Sequence, residues 1–191
     1  ESISHDLVFG LPFQKLESIE DSISKTVDIA PDRIAFYSYA HVPWIKGVGQ
    51  RGFNEADLPK SEEKRKLYER GRELLENHAY YEIGMDHFAK EHDSLYRSFK
   101  NGNLHRNFMG YTVSKTELMI GLGVSAIGDS WTAFAQNEKI LEDYYSRIEN
   151  NELPVFRGHI LNEEDLLIRN KILDIMCSLK TDISDLPKEL R

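Results

Sequence analysis

Between residues 6 and 40 the chain passes from a short apolar run to a helical repeat and back to a β-forming run, an order that allows very few arrangements. Asp6-Leu7-Val8-Phe9 is stopped by Gly10-Leu11-Pro12, a turn signal. Leu16, Ile19, Ile23 and Val27 then recur at spacings of three or four, which puts them on one helical face and leaves Glu17, Glu20, Asp21 and Lys25 to solvent. Pro31-Asp32 breaks the helix, and Arg33 to Ala40 is rich in strand formers. Two strands joined by a helix in this way lie parallel with a right-handed crossover. Functional groups on such a unit collect at the C-terminal ends of the strands, here near Gly10-Leu11-Pro12 and Tyr39-Ala40-His41. By pattern alone Val8 and Ala40 read as ordinary core residues of buried strands.

Three segments follow from these periodicities: 1–45, the β-α-β unit; 46–130, a mixed α/β region; and 131–191, which reads as helical. The second opens on Gly47-Val48-Gly49-Gln50-Arg51-Gly52, a flexible connection whose glycines do not match a dinucleotide fingerprint. Pro59 precedes a helix with Ser61 as its N-cap, an apolar face of Leu67, Leu74 and Leu75, and His78 near its end. Tyr80 to Gly84 reads as a short strand leading into Met85-Asp86-His87-Phe88-Ala89, where Asp86 and His87 can pair only if the backbone turns between them. Phe108 to Thr112 and Leu118 to Val124 read as a hairpin around Ser114-Lys115, with Gly121, Gly123 and Gly128 relieving crowding. Ala133 to Asn137 leads into a helix around Ile140, Leu141, Tyr144, Tyr145 and Ile148, stopped before Pro154. A last helix starts at Asn162 as N-cap with Asp165 at the third position.

Composition narrows the function classes. With 191 residues and 40% hydrophobic content, the chain can bury a substantial core. A net charge of −8 supplies no global attraction for nucleic acid or an anionic membrane, so neither is expected as a partner. No apolar run approaches the roughly 20 residues a membrane helix needs. A single cysteine, Cys177, permits no internal disulfide, and a reducing cytoplasm is the expected compartment. Its position on the last helix marks it as structural or simply exposed, and Arg157 and Arg169 read as solvated or salt-bridged. His41, His87, His92 and His105 lack a compact ligand spacing, so no metal is assigned to them.

Three words carry more than this: Gly84-Met85-Asp86-His87-Phe88-Ala89, His105-Arg106-Asn107-Phe108-Met109-Gly110-Tyr111-Thr112, and Gly121-Leu122-Gly123-Val124-Ser125-Ala126-Ile127-Gly128. In this order and spacing they resemble the oxygen-independent coproporphyrinogen III oxidases, radical S-adenosylmethionine enzymes of haem synthesis. The resemblance runs through nearly the whole chain. It implies an α/β fold, α+β overall: the last β-α-β part of a partial (βα)6 barrel, a small mixed region and a C-terminal helical domain. It also implies a piece of a longer enzyme, because the family's CxxxCxxC cluster motif is absent here and Cys177 alone cannot hold a 4Fe–4S cluster.

The activity implied for the intact enzyme is oxidative decarboxylation of two propionates of coproporphyrinogen III to vinyls, giving protoporphyrinogen IX, with the residues present here inactive by themselves. The implied cofactors are S-adenosylmethionine, as one or two molecules, and the cluster; the implied partners are the tetrapyrrole, an electron donor and an electron acceptor. By matched position Asp6, Val8 and Ala40 would contact the cofactor that is cleaved, and Phe108, Met109 and Ile127 a second one. Met109 stands where the family has glutamine, so any side-chain amide bond there is lost. For the substrate the candidates are Arg106, as a bidentate clamp on a propionate, with His105 and Tyr111 beside it. Two alternatives share these residues: a related radical enzyme acting on haem or another tetrapyrrole, and a non-catalytic tetrapyrrole-binding or chaperone protein.

Overall fold

The structure is a computed structural model that describes residues 2–44 and 52–187. The Gly-rich connection over 47–51 lies outside the described residues. The chain forms two compact units, Glu1–Lys100 and Asn101–Arg191.

In the first unit β1 (Ser4–Phe9), α1 (Leu16–Ile29) and β2 (Arg33–Ser38) follow the expected order, and β1 pairs parallel to β2 from Ser4 opposite Arg33 to Phe9 opposite Ser38. The helix ends where Ala30 turns into the left-handed region and donates its N–H to Thr26 O and Val27 O. After a 3-10 turn come α2 (Ser61–Asn77), β3 (Tyr81–Glu82), β4 (His87–Ala89) and α3 (Ser94–Lys100). The sheet order is β1-β2-β4-β3, with β4 antiparallel to both of its neighbours. Ser61 is the first helical residue and not the cap: Lys60 is extended, and its N–H donates to the Glu63 carboxylate at 2.9 Å.

Period-two alternation decides what each sheet face does. Phe9, Ile34, Phe36 and Phe88 form one face and pack with Ile19 and Ile23 of α1 and Leu67 and Leu75 of α2. Tyr80 is fully buried beside them and donates its hydroxyl to Pro31 O at 2.7 Å. On the opposite face Arg33 pairs with Asp93 just before α3, while Asp6, Val8 and Tyr37 remain exposed. Gly71 of α2 lies against the Phe36 ring, where any Cβ would collide with it and meet Ile23 Cδ1 at 3.2 Å. Gly71→Ala is therefore expected to lower stability by about 1–3 kcal/mol through overpacking, despite its better helix propensity. Chemical denaturation followed by circular dichroism checks this; equal or higher stability would contradict the packing.

The second unit starts with a hairpin of β5 (His105–Asn107) and β6 (Gly110–Thr112), in which Arg106 lies opposite Tyr111. The reversal thus comes one strand earlier than the sequence pattern suggests. Asn107 Oδ1 accepts the Met109 N–H at 2.8 Å and Gly110 adopts φ +126°, so the turn falls at Phe108-Met109 and not at Ser114-Lys115. Residues 118–124 form no strand; only Met119 bridges to Asp129. The expected helices are present as α4 (Leu141–Glu149) and α5 (Glu163–Ser178), the latter capped by Asn162 and Asp165 as read from sequence. Alongside them β7 (Ile127–Asp129), β8 (Ala133–Asn137) and β9 (Val155–Ile160) make an antiparallel sheet in that order. Gly121 does relieve crowding, since a Cβ there would sit 2.8 Å from the Ile127 carbonyl carbon.

Candidate functional site

In the first unit the parallel ladder continues one step past β1, where Tyr39 N–H donates to Phe9 O at 2.7 Å, and it brings Val8, Gly10 and Ala40 to the same end of the sheet. Gln14 Oε1 accepts the N–H groups of both Gly10 (2.6 Å) and Leu11 (3.2 Å), so the loop after β1 is held by a side chain. Asp6 and Val8 point to the side away from the helices and are exposed. The Asp6 carboxylate forms no ion pair or hydrogen bond among the described residues. An acceptor and a small apolar residue thus lie exposed on the same strand face. Further along this face His87 Nδ1 lies 2.9 Å from Met85 O and Nε2 3.4 Å from the Tyr37 hydroxyl. The turn preceding His87 is real, with Asp86 at φ +56°.

In the second unit the hairpin faces α5. Tyr111 donates its hydroxyl to Met176 O at 2.9 Å, and the Arg106 guanidinium lies over the Tyr111 ring at 4.9 Å. Among the described residues no carboxylate pairs with Arg106. Arg106 and Phe108 line a groove of about 530 Å³ with Phe134, Ile172 and Met176. Phe108, half exposed, meets Phe134 edge to face at 5.2 Å. Met109 is 85% exposed at the turn, and Ile127 is half-buried on β7.

His105 is placed differently from its neighbour Arg106. It is buried, 6.3 Å from the Trp131 ring, and burial first, then the charges of Lys115 and Arg169, push its pKa below the ordinary value. The imidazole is thereby kept neutral and supports the hairpin from inside. An unfolded His105 takes up a proton below about pH 6.5 while the folded one resists it, so folding stability falls as pH drops through that value. Thermal midpoints between pH 8 and pH 5 are expected to decline with a slope that His105→Gln reduces; an unchanged slope would contradict this placement.

Lining the same groove, and unread in the sequence beyond a generic ion pair, Arg169 reaches from α5 to Asp129 with bonds of 2.6 and 3.0 Å. It donates to Trp131 O at 2.7 Å and lies over the Trp131 ring at 4.3 Å and the Phe134 ring at 5.0 Å. Lys115 sits at 4.4 Å from the same indole. Cys177, the sole thiol, is buried, and burial raises its pKa; one thiol cannot supply the several thiolates an iron–sulfur cluster needs.

Comparison with known proteins bears on the chain as a whole. The chain is 38% identical over 186 residues to an oxygen-independent coproporphyrinogen III oxidase of Synechocystis sp., covering 97% of this chain and 40% of that protein. A Helicobacter pylori protein of the same description is 39% identical over 189 residues, covering 99% and 41%. Over nearly its whole length the chain is thus similar to the oxygen-independent coproporphyrinogen III oxidases. A solved Escherichia coli coproporphyrinogen III oxidase, described as a radical SAM enzyme, superposes with a TM-score of 0.88 at 36% identity, covering 95% of this chain and 42% of that one. The α/β fold expected from sequence is thus that of a solved oxidase. No family model matches. The chain spans about two-fifths of the length of these relatives. No helix among the described residues is long and apolar enough to cross a membrane.

Proposed function

We propose that this oxidase sequence forms the C-terminal part of an enzyme that converts two propionates of coproporphyrinogen III to vinyls in the reducing cytoplasm. The observation that carries this reading is Arg106: a guanidinium stacked on Tyr111, without a carboxylate partner among the described residues, lining a mostly apolar groove. A propionate offers two oxygens to the planar fork. The tetrapyrrole's rings are apolar enough to lie against Phe108.

The strand ends of the first unit take the cleaved cofactor in this reading. Asp6 accepts from the ribose hydroxyls, and Val8 and Ala40 bound the adenine. Phe108, the Met109 backbone and Ile127 take a second molecule. The Met109 N–H is already bonded to Asn107, which leaves its carbonyl as the polar group to offer. S-adenosylmethionine and a reduced cluster, when bound, supply the radical that removes a hydrogen atom from the propionate. The single cysteine of this sequence cannot supply the thiolates of a cluster, so its ligands and the routes for donor and accepted electrons are assigned to other parts of the enzyme.

The substrate is tested by incubating the intact reconstituted enzyme anaerobically with coproporphyrinogen III or with haem. Consumption of coproporphyrinogen III with protoporphyrinogen IX as product is expected. Consumption of haem alone would assign the groove to another tetrapyrrole, and binding without turnover of either would make this a tetrapyrrole carrier.

A further inference from the structure

We propose that Lys64 is a positioning residue for the nucleoside end of S-adenosylmethionine, acting by clipping together the ends of β1 and β2. The proposal rests on the reading above that Ala40 contacts this cofactor. Lys64 stands in the first turns of α2, an element outside the β-α-β unit, and its ammonium donates to Tyr39 O at 2.7 Å in a partly buried bond. On the way its stem crosses Gly10: a Cβ added there would lie 2.7 Å from Lys64 Cε and 3.2 Å from Cγ. Gly10 itself is at φ +81°, in the left-handed region, so a side chain at this position is opposed both by the backbone and by the lysine. One side chain therefore touches the first residue after β1 and the carbonyl immediately before Ala40.

Simple structural support explains this arrangement poorly. Among the described residues Lys64 has no carboxylate partner, and its recorded polar contact is a neutral carbonyl. Holding an ammonium there costs desolvation that a methionine of similar reach and flexibility would avoid. What the charge adds is direction. A charge-assisted bond to Tyr39 O fixes the orientation of the peptide plane that carries the Ala40 N–H. Tyr39 N–H is fixed on its other side by Phe9 O, and the Gly10 and Leu11 N–H groups by Gln14. The backbone at both strand ends is thus predetermined before a ligand arrives, and that reduces the ordering cost of binding.

The test is equilibrium dialysis of S-adenosylmethionine against the intact, cluster-loaded but unreduced enzyme, so that no turnover occurs. Lys64→Met keeps the stem over Gly10 and removes the donor; it is expected to weaken binding at least tenfold, and Lys64→Arg to recover most of it. Ala40→Leu is measured in parallel and tests the underlying reading. Unchanged affinity in Ala40→Leu would sink the placement of the cofactor at the strand ends. Weakened affinity in Ala40→Leu with wild-type affinity in Lys64→Met would overturn the clip alone, whatever the thermal midpoint of the lysine variant. If Lys64→Met does not yield folded protein, Lys64→Gln, which keeps an uncharged donor, is judged by the same tenfold criterion.

Discussion

Arg169→Ala is expected to destabilise the second unit by about 3–5 kcal/mol, because it removes one partner of a nearly buried ion pair and leaves the other behind. Asp129 and Arg169 side chains are only 9% and 13% exposed, and they share two hydrogen bonds. The same substitution also strips a cation from the faces of Trp131 and Phe134 and orphans the Trp131 carbonyl. Asp129 keeps one compensating bond from the Trp131 N–H at 2.8 Å, which is why the loss is not placed higher. A double variant with Asp129→Asn should be less destabilised than the sum of the single changes, since it no longer buries an unpaired charge. Urea titrations of the four proteins measure the coupling. Strict additivity, or a loss below 1 kcal/mol for Arg169→Ala, would mean that the pair is solvated in solution.

The second large effect is on turnover. Arg106→Ala in the intact enzyme is expected to lower kcat/KM for coproporphyrinogen III by about 100-fold, corresponding to roughly 2.7 kcal/mol of lost charge-assisted recognition. Folding should change by no more than about 1 kcal/mol, because Arg106 makes no ion pair among the described residues and its recorded contact is the face of Tyr111. Arg106→Lys should recover little, as an ammonium can neither stack in the same way nor bind both carboxylate oxygens. Steady-state decarboxylation assays beside thermal melts separate the two quantities. A stability loss that accounts for the whole fall in activity would reassign Arg106 to the scaffold.

The β-α-β unit was legible because its signals are local: a short apolar run, apolar spacings of three and four, and Pro31-Asp32 as a break. The Asn162 cap was readable for the same reason. β9 left no such mark, since all six of its residues are exposed and no alternation of polarity betrays a strand. The hairpin was misplaced because Phe108-Met109 does not look like a turn; the reversal depends on Asn107 bonding forward and on Gly110, which suit a strand pattern equally well until the geometry is seen. Arg106 and Phe108 were singled out by family resemblance, whereas Arg169 and Lys64 were not. Their partners lie 40 and 25 residues away in sequence, and neither α5 nor α2 carries a spacing that points to them. His105 shows the converse: adjacency to Arg106 in sequence suggests a shared role, but alternation along β5 sends the two side chains to different surroundings.

The most direct measurement is the joint yield of carbon dioxide and 5′-deoxyadenosine when the intact, anaerobically reconstituted enzyme bearing this sequence meets coproporphyrinogen III under reducing conditions. The proposed function requires both products, with two molecules of carbon dioxide released for each protoporphyrinogen IX formed. Formation of 5′-deoxyadenosine without any carbon dioxide would contradict the assignment of Arg106 and its groove to a propionate of this substrate.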